Sequence, residues 1–185
     1  MKPYQQFVSE ILIDEQTLQQ RIAELGAQIT ADYHGEEVLL VCILRGGVLF
    51  LTDLMRKIDL PLTLDFMAVS SYGIGARQSS GQARITLDLN TDIRDRHVLL
   101  VEDIVDSGYT LQAVLQMLAS RAPRSLRTCV LLDKTERREV DVAVDYVGFT
   151  IPDKFVFGYG LDIDEYYRNL PFIAAVDPQK FSPEG

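Results

Sequence analysis

The chain has 185 residues, 47% of them hydrophobic and 24% charged, which excludes a disordered or coiled-coil chain and leaves room for one buried core rather than two. A net charge of −9 excludes an unaided nucleic-acid footprint, because that affinity rests on clustered Lys and Arg; any anionic ligand has to be gripped locally. No apolar run approaches the roughly 18 residues of a membrane span and the N-terminal stretch lacks a signal-peptide core, so no membrane and a cytoplasmic location are expected.

Asp14 is a plausible helix N-cap, and Leu18, Ile22, Leu25 and Ile29 recur behind it at helical spacing, which predicts a first amphipathic helix. Val38 to Leu44 is uniformly apolar and rich in branched residues, a buried strand that stops at Arg45-Gly46-Gly47 before a second helical stretch reaching about Met55. Residues Thr63 to Ser70 alternate as a further strand. The stretch SSYGIGARQSSGQARI that follows has no apolar period and is long for an ordinary connection, which points to a lid.

Ile85 to Leu89 resumes a strand, and Val98 to Ile104 gives another, apolar except for Glu102 and Asp103 near its end. Leu111, Val114, Leu115 and Leu118 place an apolar stripe on the next helix, and Leu126 to Leu132 reads as one more buried strand. The remainder, DYVGFT, KFVFGYG and FIAAV, breaks into short strands. Strands alternating with helices predict an α/β fold, a mostly parallel twisted sheet with helices on both faces, with a small C-terminal subregion of short strands. Ligands of such sheets sit beyond the carboxyl ends of the strands, so the loops after Leu44, Val105 and Leu132 should converge on one crevice.

The chemistry concentrates in VLLVEDIVDSGYTL, residues 98–111, where Glu102, Asp103 and Asp106 fall close together beside a turn that opens a helix. Crowded carboxylates rise in pKa and call for a cation or hydroxyl donors between them. Ser107, Gly108, Tyr109 and Thr110 then put small and hydroxylated residues at a helix N-terminus, which favours a phosphate. A plain N-cap beside a solvated strand end would explain Asp-Ser-Gly by itself, but not the acid pair, third acid and phosphate turn together.

This stretch resembles the phosphoribosyl pyrophosphate signature of type I phosphoribosyltransferases, and LLDKTERR at 131–138 with VGFTIPDKFVFGYGLDIDEYYRNLPFI at 147–173 resembles the base-binding part of the hypoxanthine (6-oxopurine) phosphoribosyltransferases. With LRGG and SSYG the similarity touches nearly the whole chain. The resemblance implies a single phosphoribosyltransferase domain over 1–185, its core at about 8–135 and a base-binding hood mainly at 136–180 with the N-terminal segment.

It also implies purine salvage: transfer of a phosphoribosyl group from phosphoribosyl pyrophosphate to a 6-oxopurine base, giving IMP or GMP and pyrophosphate with Mg2+, in a homodimer or homotetramer. By position, Glu102 and Asp103 would hold the ribose hydroxyls directly or through magnesium, residues Ser107 to Thr110 would wrap the 5'-phosphate, and Asp106 would be the general base, a role suited to a carboxylate lifted by neighbouring acids. Lys134 would donate to the 6-oxo group, Phe155 would stack on the ring, Val156 and Asp162 would read its edge through the backbone, and Asp162 would approach a second magnesium. Arg45 and Gly46 look like the pyrophosphate loop, Arg168 like a clamp on that group, and Ser71 and Tyr72 like the tip of the closing lid. Relatives often carry Lys where Arg45 stands, and the two are not equivalent binders.

Plainer readings exist for several of these residues. Lys134 could snorkel to solvent, Phe155 and Phe157 alternate as core aromatics do, and Asp164 with Arg168 could be an i,i+4 surface pair. Asp162-x-Asp164 opens like a calcium loop, but Tyr167 stands at the required Gly position. Neither His34 nor His97 is assigned to catalysis, and Cys42 and Cys129 read as buried reduced thiols. A nucleic-acid-binding regulator that keeps the sugar-phosphate site is disfavoured by the acidic balance, while preference among hypoxanthine, guanine and xanthine stays open.

Overall fold

The computed structural model describes residues 3–71 and 83–180. Strand β1 (Val8–Ile13) leads into helix α1 (Glu15–Asp32), capped by the Asp14 carboxylate, which accepts the Thr17 N–H at 2.8 Å. Strand β2 (Val38–Leu44) and helix α2 (Val48–Met55) follow, then strands β3 (Leu62–Ser71), β4 (Ala83–Leu87) and β5 (His97–Val105). Helix α3 (Tyr109–Ala119), strand β6 (Ser125–Asp133), strand β7 (Tyr146–Thr150) and the short strands β8 (Val156–Phe157) and β9 (Ile173–Val176) follow in turn.

Two sheets form among the described residues. The larger has six strands in the order β4-β3-β2-β5-β6-β7, parallel except for the β3/β4 pair. Buried strands of this kind send alternate side chains to opposite faces. Leu40 and Cys42 of β2 join the core under α1 and α2, and Leu39, Val41 and Ile43 join the core under α3.

The smaller sheet, in the order β1-β9-β8, is antiparallel and packs on Phe7, Phe157, Ile163 and Ala174. Its membership moves the expected boundaries. Residues 146–150, expected within the hood, extend the large sheet instead, because β7 pairs in parallel with β6. Residues 8–13, counted with the core, are an outer strand of the small sheet. Strand β4 also ends at Leu87 rather than Leu89, where its pairing with Ala68 stops.

Candidate active site

The order of the large sheet locates the site. From β2 the chain steps to β3 on one side and reaches β5 on the other, so the loops after β2 and β5 leave the sheet side by side and diverge, the switch point at which open α/β sheets hold ligands. The loop after β2, residues 45–47, begins with a cis peptide bond between Leu44 and Arg45. It lies directly on the acid-rich end of β5: a Cβ on Gly46 would fall 1.5 Å from Asp103 Oδ2. On the other side, a Cβ on Gly160 would fall 2.1 Å from the Gly46 carbonyl oxygen. Only hydrogens fit between these three residues.

Glu102 and Asp103 form a coupled pair at the floor of this crevice. Burial, then the adjoining Asp103 carboxyl, raises Glu102 well above the usual carboxylate range. Burial also raises Asp103, although the Ile104 N–H donates to its Oδ1 at 2.8 Å and the Arg168 charge pulls the other way. Glu102 Oε2 is buried without a hydrogen-bond partner.

The sign of the resulting pH effect follows. Below the ordinary carboxylate range both folded and unfolded chains hold these protons; as pH rises past it, the unfolded chain ionises first and folding stability falls. Glu102→Gln is therefore expected to raise Tm near pH 8, with about 2–4 °C for each kcal/mol recovered. The difference should shrink as pH falls through the ordinary carboxylate range and vanish below about pH 3, where the wild-type acids are neutral in both states. Calorimetric melts across this range check it; a variant that melts lower than wild type near pH 8 contradicts the assigned repulsion.

Beside the pair, the turn Asp106–Gly108 opens α3. Gly108 has φ +93°, and its missing Cβ leaves it against Arg138, Val140 and Val142. The Ser107 carbonyl accepts the N–H groups of Glu139 and Val140, at 3.0 and 3.3 Å, which fixes the turn from the far side. No acid stands in the first turn of α3, whose leading N–H groups have no intrahelical acceptor. Tyr109 and Thr110 are the first two residues of that helix. An anion fits here.

Asp106 departs from the expected crowding of three acids, because it faces cations. Arg137 Nε lies 2.8 Å from Oδ1, an ion pair without hydrogen-bond alignment, and Lys134 Nζ lies 4.0 Å from Oδ2. Asp153 closes the ring, 3.8 Å from Lys134 Nζ and 3.4 Å from Arg137 Nη1. Lys134 is only 7% exposed, so it does not snorkel to solvent. Its N–H bonds the Val105 carbonyl at 3.0 Å, which ties the ends of β5 and β6 together.

The alternating aromatics divide. Phe157 is fully buried between Phe7 and Tyr167, whereas Phe155 is 58% exposed. Val156, between them, is buried in β8. Asp162 accepts the Glu165 N–H at 2.8 Å and pairs with Arg168 at 2.8 Å. Arg168 also reaches Glu165 at 3.3 Å and donates to the Gly160 carbonyl at 2.8 Å. The i,i+4 pairing of Asp164 with Arg168 gives way to these contacts because residues 163–166 form a tight bridge rather than a helix, with positive φ at Asp164 and Glu165.

Arg45 meets Glu165 at 3.0 Å. Among the described residues no three His, Cys, Asp or Glu side chains gather as a metal cage, so Asp162 does not join Glu102 and Asp103 in one. Ser71 ends β3, while Tyr72 and the rest of the expected lid to residue 82 lie outside the described residues.

Sequence reasoning passed over Arg137, Asp153, Glu165 and Gly160. Arg137 had a signal: it stands three residues after Lys134 in a single 3-10 turn at a strand end, where i and i+3 side chains eclipse. Asp153 had none, since its partners come from another segment of the chain, and for Glu165 the local spacing to Arg168 gave no hint of its distant partner Arg45. The two histidines stay outside the site; His97 opens β5 at its far end and bonds Ser125 at 2.7 Å. Both cysteines are buried and free, and burial lifts the Cys42 thiol to about 12. Among the described residues no helix is long and apolar enough to cross a membrane.

Comparison with known proteins agrees with this geometry. The family model described as "Phosphoribosyl transferase domain" matches residues 9–164. A hypoxanthine-guanine phosphoribosyltransferase of Mycobacterium avium is 49% identical over 180 residues, covering 94% of this chain and 88% of the relative. A hypoxanthine phosphoribosyltransferase of Salmonella typhimurium is 50% identical over 169 residues, covering 90% and 94%. Among solved structures, a hypoxanthine phosphoribosyltransferase from Staphylococcus aureus superposes with TM-score 0.91 at 45% identity, covering 95% of each chain. Matched in sequence and in fold over nearly its whole length, the chain belongs to the phosphoribosyl transferase family.

Proposed function

We propose that this chain moves a 5-phosphoribosyl group from phosphoribosyl pyrophosphate to hypoxanthine, and to guanine, yielding IMP or GMP and pyrophosphate, and so serves purine salvage. One observation carries the reading: the half-buried Glu102–Asp103 pair lies under the Gly46 loop and beside the N-terminus of α3. A polyol suits the acids, and a phosphate suits the helix end. The names of the relatives supply the base.

Magnesium fits this donor set. It dehydrates reluctantly and is usually bound through one or two carboxylates together with substrate oxygens rather than by a full protein cage. Glu102 Oε2, buried and without a partner, with Asp103 beside it, would hold such an ion directly or through the ribose hydroxyls, and Asp162 would approach a second one. When bound, the ion supplies neutralisation of charge on the departing pyrophosphate.

The protein's own residues do the rest. Residues 107–110 hold the 5'-phosphate, Lys134 donates to the 6-oxo group, exposed Phe155 offers a stacking face, and Val156 and Asp162 present backbone groups to the edge of the base. As the N9–C1' bond forms and the C1'–O bond to pyrophosphate breaks, Asp106 takes or shares the N7 proton, while Arg45 and Arg168 stabilise the leaving group. Arg137 grips one Asp106 oxygen and leaves the other toward Lys134.

A spectrophotometric assay of hypoxanthine, guanine and xanthine, each with phosphoribosyl pyrophosphate and magnesium, tests the reading. Nucleotide formation from hypoxanthine is the expected result. No product from any of the three bases would overturn it.

A further inference from the structure

Glu165 joins the two arginines that the proposed leaving-group site needs. Its Oε1 lies 3.0 Å from Arg45 Nη2 and its Oε2 lies 3.3 Å from Arg168 Nη2. One carboxylate thus spans two guanidinium groups, one of them 120 residues away from it in sequence. Asp162 takes a second hold on Arg168 at 2.8 Å. Two cations therefore meet two carboxylates, and the local formal charge is zero. The backbone is wound to deliver this contact: Glu165 itself has φ +72°, and its N–H is tied to Asp162 Oδ2 at 2.8 Å.

We propose that Glu165 is an internal stand-in for pyrophosphate, an acid that occupies Arg45 and Arg168 in the free enzyme, yields to a bound diphosphate and returns as the diphosphate departs. The inference rests on the transferase reading above and adds a device for product release. Its strength suits that purpose. The Arg45 and Glu165 side chains are 70% and 58% exposed, and ion pairs so open to water are weak and salt-sensitive. A diphosphate can displace such a contact, yet the contact still lowers the net attraction that would otherwise retain the product. A carboxylate that merely braced the arginines for binding would have the opposite effect when removed.

Calorimetric titration with inorganic pyrophosphate in magnesium buffer at low salt separates the two cases. Glu165→Gln keeps the shape and removes the charge, and it is expected to bind pyrophosphate about three- to ten-fold more tightly than wild type. Product inhibition by pyrophosphate in the forward reaction should strengthen by a similar factor. Glu165→Asp, one methylene too short to reach both arginines, should move in the same direction. Unchanged or weaker pyrophosphate binding in both variants overturns the proposal while leaving the transferase reading intact. If wild type takes up neither pyrophosphate nor phosphoribosyl pyrophosphate, the transferase reading fails, and this inference with it.

Discussion

Gly46→Ala is expected to abolish useful binding of phosphoribosyl pyrophosphate while the chain stays folded. The added methyl would fall 1.5 Å from Asp103 Oδ2 and 2.7 Å from its Cγ. The loop cannot retreat, because Gly160 backs it so closely that a Cβ there would lie 2.1 Å from the Gly46 carbonyl oxygen. The Asp103 carboxylate must then swing away, which breaks its pairing with Glu102 and shifts the floor of the crevice by ångströms. Displacement of roughly 1 Å in a positioned group costs about 100-fold in rate, and donor binding, which uses the same floor, should weaken by an amount that calorimetry reads directly. Far-ultraviolet circular dichroism should match wild type, since the large core lies behind the loop on the strands of the sheet. A variant that binds the donor within a few-fold of wild type would remove the 45–47 loop from the site.

Asp106→Asn should separate turnover from binding. The amide keeps the size of the side chain and both of its polar atoms, so donor and nucleotide affinities should stay within a few-fold. It cannot accept the base proton, and loss of a positioned general base costs about 10²–10⁴-fold in rate. The variant also leaves Arg137 and Lys134 facing a neutral group. Near-normal kcat would mean that proton transfer is handled elsewhere and that Asp106 serves only to anchor the two cations.

The strands and helices that build the large sheet were legible because their signals are local: the branched apolar run at 38–44, the 3.6-residue stripe at 18–29 and the Asp14 cap each speak for themselves. The acid pair and phosphate turn were legible for the same reason, since Glu102 to Thr110 are contiguous. What escaped depends on distant partners. Strand β1 has no clean alternation, its middle residues are exposed, and it becomes a strand only through pairing with β9, from Val8 with Val176 to Ile13 with Ile173. The Asp106–Arg137–Asp153–Lys134 ring and the Glu165 bridge likewise join residues from separate loops. The crowding inferred for Asp106 assumed that neighbours in sequence are neighbours in space; at the end of β5 the chain turns, and cations from the next loop face it instead.

The pairing of β1 with β9 has a consequence for biosynthesis. Among the described residues the central strand of the small sheet is the last strand in chain order, and β1 and β8 each pair within that sheet only with it. During translation β1 must wait, unmatched, for β9, even after the six-stranded portion has formed. A nascent chain arrested before residue 173 would therefore carry a nearly complete crevice with an unfinished roof, and catalytic competence should arrive late and abruptly as those closing residues emerge.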